Sequence, residues 1–180
     1  MSLFVKACCR VGEPTKALDA FLNPRKHHVG IPSLKGLHYL MINFAIRGDL
    51  ENMFRSVESA QSCGLKPNSR TYHISIRACV DRGFIRQSVD LLNRALSENL
   101  IIERGTFNVV MNGCRVHSMP DDVLQIYDRF VGSGLPENVS TLALVAEANM
   151  SKGDFEGAID ILARLVEHFD IPDDLGERFV

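Results

Sequence analysis

The stretch Thr71-Tyr72-His73-Ile74-Ser75-Ile76-Arg77-Ala78-Cys79-Val80-Asp81-Arg82-Gly83 decides the fold, because its markers return at one interval. Thr71, Thr106 and Thr141 lie 35 residues apart, and so do Gly48 and Gly83, and the thiols Cys79 and Cys114. Gly153 stands two intervals beyond Gly83, and Gly64 and Gly134 are also two intervals apart. Independent markers that share one period are the signature of a repeat array, in which each unit buries its apolar face against its neighbours.

Aligned on these markers, the chain divides into units 1–33, 34–68, 69–103, 104–138 and 139–173, with 174–180 beginning a further one. Within a unit, apolar residues first recur at helical spacing, as in Leu37, Leu40, Met41 and Phe44, or Phe107, Val110, Met111 and Cys114. A break follows at Gly12, Gly48, Gly83 or Gly153, replaced in the fourth unit by Ser118-Met119-Pro120; Gly suits a helix end that enters the left-handed region. A second amphipathic segment comes next, as in Ile85, Val89, Leu92 and Leu96. It closes at Gly30, Gly64, Asn99 or Gly134, with Pro32, Pro67, Pro136 and Pro172 nearby to stop the helix. The threonines then stand where a side-chain oxygen can cap the next helix. No alternating strand pattern occurs. The expected fold is all-α: a right-handed α-solenoid of stacked helix-turn-helix pairs, one array over 1–180. Gly157 falls inside an expected helix, as a close contact or a tolerated cost.

Size and composition narrow the function classes. The chain has 180 residues, 46% of them hydrophobic, and a formal net charge of -2, so any affinity for polyanions has to be local. Five cysteines without a CxxC pair give little support to a disulfide framework or a zinc cluster. No apolar run approaches the roughly 20 residues needed to span a bilayer. The first residues match a first helix rather than a targeting peptide, so the chain reads as a segment of a longer array.

Among helix-pair repeats, the 34-residue tetratricopeptide pattern with its Trp ranks second, since the chain has no Trp. Lys66-Pro67-Asn68-Ser69-Arg70-Thr71-Tyr72 through Cys79, Gly83, Ser88 and Leu91-Leu92 resembles the pentatricopeptide repeat (PPR) family, as does Gly105-Thr106-Phe107-Asn108 through Gly134-Leu135. The resemblance implies that the first helices line an inner surface that binds single-stranded RNA in mitochondria or chloroplasts, one base per repeat. Base choice in the family is attributed to the residue two after the Thr and the last residue of the unit. Carried over, the pairs are His38 with Asn68, His73 with Glu103, Asn108 with Asn138, and Ala143 with Asp173. Only Asn108 with Asn138 matches a familiar combination, one associated with pyrimidines.

Charge supplies a physical reading independent of the family. The expected first helices carry seven cations (Lys6, Arg10, Arg47, Arg77, Arg82, Arg115, Lys152) against Asp81 and Glu147, whereas the second helices carry six against fourteen carboxylates. Lys35 and Arg70 add to the positive side. A groove lined by first helices suits phosphate, with contacts from Lys35, Arg47, Arg70, Arg77, Arg82 and Arg115. Segregated solvated charge is the plainer alternative.

Signals for catalysis are weak. Cys8, Cys79 and Cys114 share a core position with Phe44, Cys9 reads as equally unreactive, and Cys63 is the more exposed. His27-His28 is a pair without a third metal ligand, and Asp121-Asp122 complements a helix dipole. The expectation is a non-catalytic RNA-binding protein without cofactor, metal, small-molecule substrate or membrane insertion, acting by occupancy in RNA processing, stability or translation. The rival is a protein-interaction scaffold subunit of a large assembly such as an organellar ribosome.

Overall fold

The structure, a computed structural model, describes residues 2–23, 25–28, 30 and 32–169. Among these residues there are ten α-helices and no strand: α1 (Ser2–Arg10), α2 (Pro14–Leu22), α3 (Leu34–Arg47), α4 (Leu50–Ser62), α5 (Ser69–Asp81), α6 (Ile85–Ser97), α7 (Arg104–Val116), α8 (Pro120–Gly132), α9 (Val139–Lys152) and α10 (Phe155–Phe169). The fold is an all-α helical repeat, as the 35-residue period requires. The chain forms two compact units, residues 1–102 and 103–180, divided within one residue of the border between the third and fourth repeats.

Helix starts are written by short polar side chains. Asn68 and Asn138 adopt extended backbone, and their Oδ1 atoms accept the N–H groups of Thr71 at 3.1 Å and Thr141 at 2.9 Å. Ser33 and Asp49 do the same for α3 and α4 through Gly36 and Asn52. The expected threonine caps are thus corrected: the helices begin three residues earlier, because Asn68 and Asn138 take the N-cap conformation, and the threonines occupy the third helical position. Thr71 still serves the helix end, since its Oγ1 accepts the Asn68 N–H at 3.2 Å and closes a capping box.

Helix ends follow the expected breaks with one exception. Gly48 and Gly153 terminate α3 and α9 in the left-handed region, at φ 75° and 77°. Asn99 and Ser118 take over that role at φ 54° and 55°. The exception is α2, which was expected to close at Gly30 but ends at Leu22 with Asn23 as C-cap. Pro24 in the sequence has no N–H to extend the ladder. Gly157 sits in the first turn of α10, where its N–H bonds Asp154 Oδ1 at 3.0 Å. A Cβ there would fall 2.6 Å from Asp154 Oδ2, so a side chain would crowd this contact.

In residues 1–102, α1 packs on α3 and α3 on α5, so the first helices neighbour one another, while α2 packs on α4. Their shared core holds Val5, Phe21, Leu37, Leu40, Met41, Phe44 and Met53, all at most 1% exposed. Burial of each such side chain contributes about 1.5–3 kcal/mol. In residues 103–180, α7 packs on α8 and α9, and α9 packs on α8 and α10. Phe107 and Phe130 meet edge to face there, with centroids 5.5 Å apart. Leu142, Val145, Ile161 and Leu165 continue that core.

Hydrogen-bonded tyrosines tie neighbouring helices together within each unit. Tyr72 donates its hydroxyl to Glu98 at 2.7 Å, and Glu98 also accepts from Arg94 at 3.1 Å. Burial and the Glu98 bond push the Tyr72 phenol up to about 12. In the other unit Tyr127 donates to Glu137, which also pairs with Arg164.

Candidate nucleic-acid interface

In residues 1–102 the candidate side chains converge on the junction between α3 and α5. His38 is 7% exposed, and its Nε2 lies 2.9 Å from Thr71 Oγ1 of the next repeat. Thr71 in turn is 3.1 Å from Asn68 Oδ1. The residue two after the Thr marker and the last residue of the same repeat are thereby joined through the threonine of the following one. Burial, and then the nearby Arg70 charge, hold the His38 imidazolium below its ordinary range. His73 is half-buried on α5.

Lys35, Arg47 and Arg70 are exposed on α3 and α5 and, among the described residues, make no ion pair. Arg77 is exposed but pairs with Asp81 at 3.0 Å, one turn along the same helix. Arg82 lies back over Gly48, with Nη2 within 3.5 Å of the Ile46 carbonyl oxygen at the end of α3. A cation there meets the negative end of the helix dipole.

In residues 103–180 the corresponding geometry is repeated. Thr141 Oγ1 is 2.9 Å from Asn108 Oδ1 and 2.8 Å from Asn138 Oδ1. Beside this contact lies an open depression between α7 and α9, lined by Asn108, Asn112, Arg115, Ser140, Ala143, Leu144 and Glu147. Arg115 bonds Asn112 Oδ1 at 3.0 Å and pairs with Glu147 at 3.2 Å. Glu103 opens α7 as an exposed N-cap residue without a side-chain cap bond. Lys152, a cation on α9, pairs with Asp121 of α8 at 2.6 Å. The last candidate, Asp173, and the stretch 174–180 lie outside the described residues.

Sequence reasoning singled out His38, Asn68, Asn108 and Asn138 but missed that Thr71 and Thr141 connect them. The signal was present: two markers 70 residues, or two periods, apart, each preceded by an Asn three residues earlier. The buried thiols Cys9, Cys79 and Cys114 are held in the protonated form by burial. Burial pushes Cys79 up to about 11 and, with the Asp122 charge, Cys114 up to about 12. Cys9 is buried at 6% exposure, whereas Cys8 is only half-buried, and Cys63 is exposed. His27 Nε2 contacts Asp19 at 2.6 Å, and no group of three or more His, Cys, Asp or Glu side chains among the described residues is arranged for a metal. No helix among the described residues is long and apolar enough to cross a membrane.

Helix pairs stacked first helix on first helix define an α-helical repeat protein. Residues 105–135, spanning most of the fourth unit, match the family model of the PPR repeat. Over that stretch the chain is similar to the pentatricopeptide repeat family. No curated protein sequence matches it. Its fold is similar to that of the PPR domain of Arabidopsis thaliana protein-only RNase P 1 in complex with tRNA, at 15% identity and TM-score 0.75, over 92% of this chain and 86% of that one. It is also similar to the pentatricopeptide repeat protein PPR10 from maize, at 24% identity and TM-score 0.64, over 90% of this chain and 23% of that one. Nuclear proteinaceous RNase P 2 from A. thaliana shares the fold at 10% identity and TM-score 0.73, over 90% of this chain and 36% of that one. The chain thus spans about a quarter to a third of the latter two.

Proposed function

We propose that the chain is an RNA-binding repeat protein that holds single-stranded RNA along the face of its first helices, as one array. The observation that carries this reading is that Lys35, Arg47 and Arg70 stand exposed on first helices without an ion pair among the described residues. Such cations release counterions from phosphate and contribute sequence-independent affinity. Asn108, Asn138, His38 and His73 supply polar and aromatic groups for base edges and stacking, with Asn68, Glu103, Ala143 and Asp173 completing the reader pairs. Two solved relatives by fold, the PPR domain with tRNA and PPR10 with an 18-nt psaJ RNA element, are RNA complexes, which supports the same ligand class here.

Action by occupancy follows: bound RNA is shielded from nucleases, kept open, or presented to a partner. The reading places this in organellar RNA processing, stability or translation, in a mitochondrion or chloroplast, on the strength of the family resemblance. Titration with short single-stranded RNA pools from about 50 to 200 mM salt tests it. Several phosphate contacts predict a loss of orders of magnitude in affinity over that range. Absence of binding at low salt would remove the proposal and leave the protein-scaffold reading standing.

A further inference from the structure

One edge of residues 1–102 carries apolar side chains that the fold does not require. Phe84 stands at the N-cap position of α6, where it makes no side-chain cap bond and is 54% exposed. The places one interval before it and two intervals after it hold Asp49, which accepts the Asn52 N–H, and Asp154, which accepts the Gly157 N–H. A phenylalanine there gives up a cap bond and leaves its ring in water, so folding alone does not explain it. Ile46, in the last turn of α3, is 76% exposed at a place held by Asp81 in the third repeat and Ser151 in the fifth. Val11, just past the end of α1, is 73% exposed.

Two arginines join these side chains into one strip. Arg82 lies across Gly48, with Nη2 3.5 Å from the Ile46 carbonyl oxygen, and Arg47 reaches back to Gly12, where a Cβ would lie 3.7 Å from its Nη2. Each arginine at the end of one first helix thus lies over the turn of the repeat before it. Val11 precedes Gly12, Ile46 precedes Arg47, and Gly83 alone separates Arg82 from Phe84, so apolar and cationic groups alternate along the edge. Arg10, exposed in the last turn of α1, adds a third cation. The carboxylates nearby are engaged: Glu13 pairs with Lys16 at 2.6 Å, Asp49 caps α4, and Asp81 pairs with Arg77 at 3.0 Å. Arg10, Arg47 and Arg82 make no ion pair among the described residues. In residues 103–180 Val116 is exposed at the place of Ile46, but His117 bonds the Gly113 carbonyl oxygen of its own helix at 3.0 Å and Lys152 pairs with Asp121.

We propose that this edge docks on the surface of an anionic lipid bilayer, without insertion of a helix. Val11, Ile46 and Phe84 enter the headgroup boundary, and Arg10, Arg47 and Arg82 meet the lipid phosphates beside them. The mixture of groups selects this ligand. Cations alone would serve a nucleic acid equally well, but exposed aliphatic side chains gain nothing from its phosphates, whereas a bilayer surface offers anionic and apolar layers side by side. Arg47 and Arg82 are shared with the phosphate contacts proposed above for RNA; the apolar residues are not, and they carry the test.

Co-sedimentation of the full chain with vesicles of phosphatidylcholine, with and without phosphatidylglycerol, reads the proposal. Three cations near the surface predict an affinity about a hundredfold higher for the mixed vesicles, falling with salt. The double variant Ile46→Ser, Phe84→Ser is expected to lose about tenfold in vesicle affinity while its RNA binding is unchanged. Phe84→Asp restores the residue type of Asp49 and Asp154, so it is expected to raise the thermal midpoint while weakening vesicle binding, which separates lost docking from lost folding. The chain has no Trp, so Phe84→Trp gives a single reporter, and its emission is expected to shift to the blue on the mixed vesicles. Absence of sedimentation with the mixed vesicles overturns the proposal. Sedimentation that the double variant leaves unchanged, or an unshifted emission from Phe84→Trp, reduces the contact to charge alone and overturns it as well. Loss of RNA binding in the double variant with vesicle binding retained assigns the edge to RNA instead.

Discussion

The guanidinium of Arg82 lies directly across Gly48 of the preceding repeat: a Cβ on Gly48 would fall 2.3 Å from Arg82 Cζ. Gly48 also adopts φ 75°, and that backbone conformation is the constraint that favours glycine there. Gly134 has a comparable φ of 69° but nothing within 4 Å. Gly134→Ala is expected to cost about 1–2 kcal/mol from backbone strain alone. Gly48→Ala incurs the same strain and also displaces Arg82, whose flexible side chain can swing away. Denaturant unfolding of the two variants is therefore expected to differ by well under the strain itself. A much larger loss for Gly48→Ala would show that the Arg82 contact with the α3 terminus is a substantial inter-repeat tie.

Capping gives a sharper contrast. Asn68 and Asn138 each accept a backbone N–H at their helix start, whereas Glu103 at the equivalent place of α7 makes no side-chain cap bond. Asn68→Ala and Asn138→Ala are each expected to cost about 1 kcal/mol, and Glu103→Ala much less. Equal losses at all three positions in urea unfolding would contradict the assigned helix starts.

These positions also show what the sequence made legible. The period, the helix pairs and the left-handed substitutes Asn99 and Ser118 follow from local chemistry, because each break needs a residue that tolerates positive φ. The choice of N-cap did not follow, since Asn68 and Thr71 are both good capping residues and only the backbone conformation decides between them. The first repeat departed further, with α2 ending at Leu22 well short of Gly30. Ion pairs such as Arg115 with Glu147 join residues 32 apart, a separation with no sequence signature until the repeats are stacked.

Burial of His38 predicts a pH dependence. Its folded-state value lies below the ordinary 6.5, so the unfolded chain takes up a proton first as pH falls. Stability is then fully present above about pH 6.5 and is lost as pH drops through the lower folded-state value. His38→Gln, which cannot titrate, is expected to flatten that decline in thermal midpoint between about pH 7 and 5. An unchanged pH profile would remove His38 as its source.

Thiol reactivity should rank by exposure. Cys79 and Cys114 are fully buried, with thiols pushed up to about 11 and about 12, while Cys63 is exposed. In native protein at pH 8, iodoacetamide is expected to label Cys63 first, with Cys79 and Cys114 reacting only after unfolding. Mass spectrometry of the labelled peptides reads the order directly, and early labelling of Cys114 would contradict its placement.

Two of the candidate phosphate ligands are already neutralised. Arg77 pairs with Asp81 and Arg115 with Glu147, both in exposed positions where such pairs are worth little to the fold, about 0–1 kcal/mol. Carboxylates so placed weaken the field that a phosphate would meet, and they leave the arginines less able to release counterions. Asp81→Asn and Glu147→Gln keep shape and remove the opposing charge. Each is therefore expected to tighten RNA binding severalfold at low salt and to steepen the dependence of affinity on salt, with little change in stability. A scaffold that does not meet RNA on this face predicts no change in either quantity. Measuring affinity against salt for the two variants thus tests whether the first-helix face contacts phosphate, independently of which bases are read.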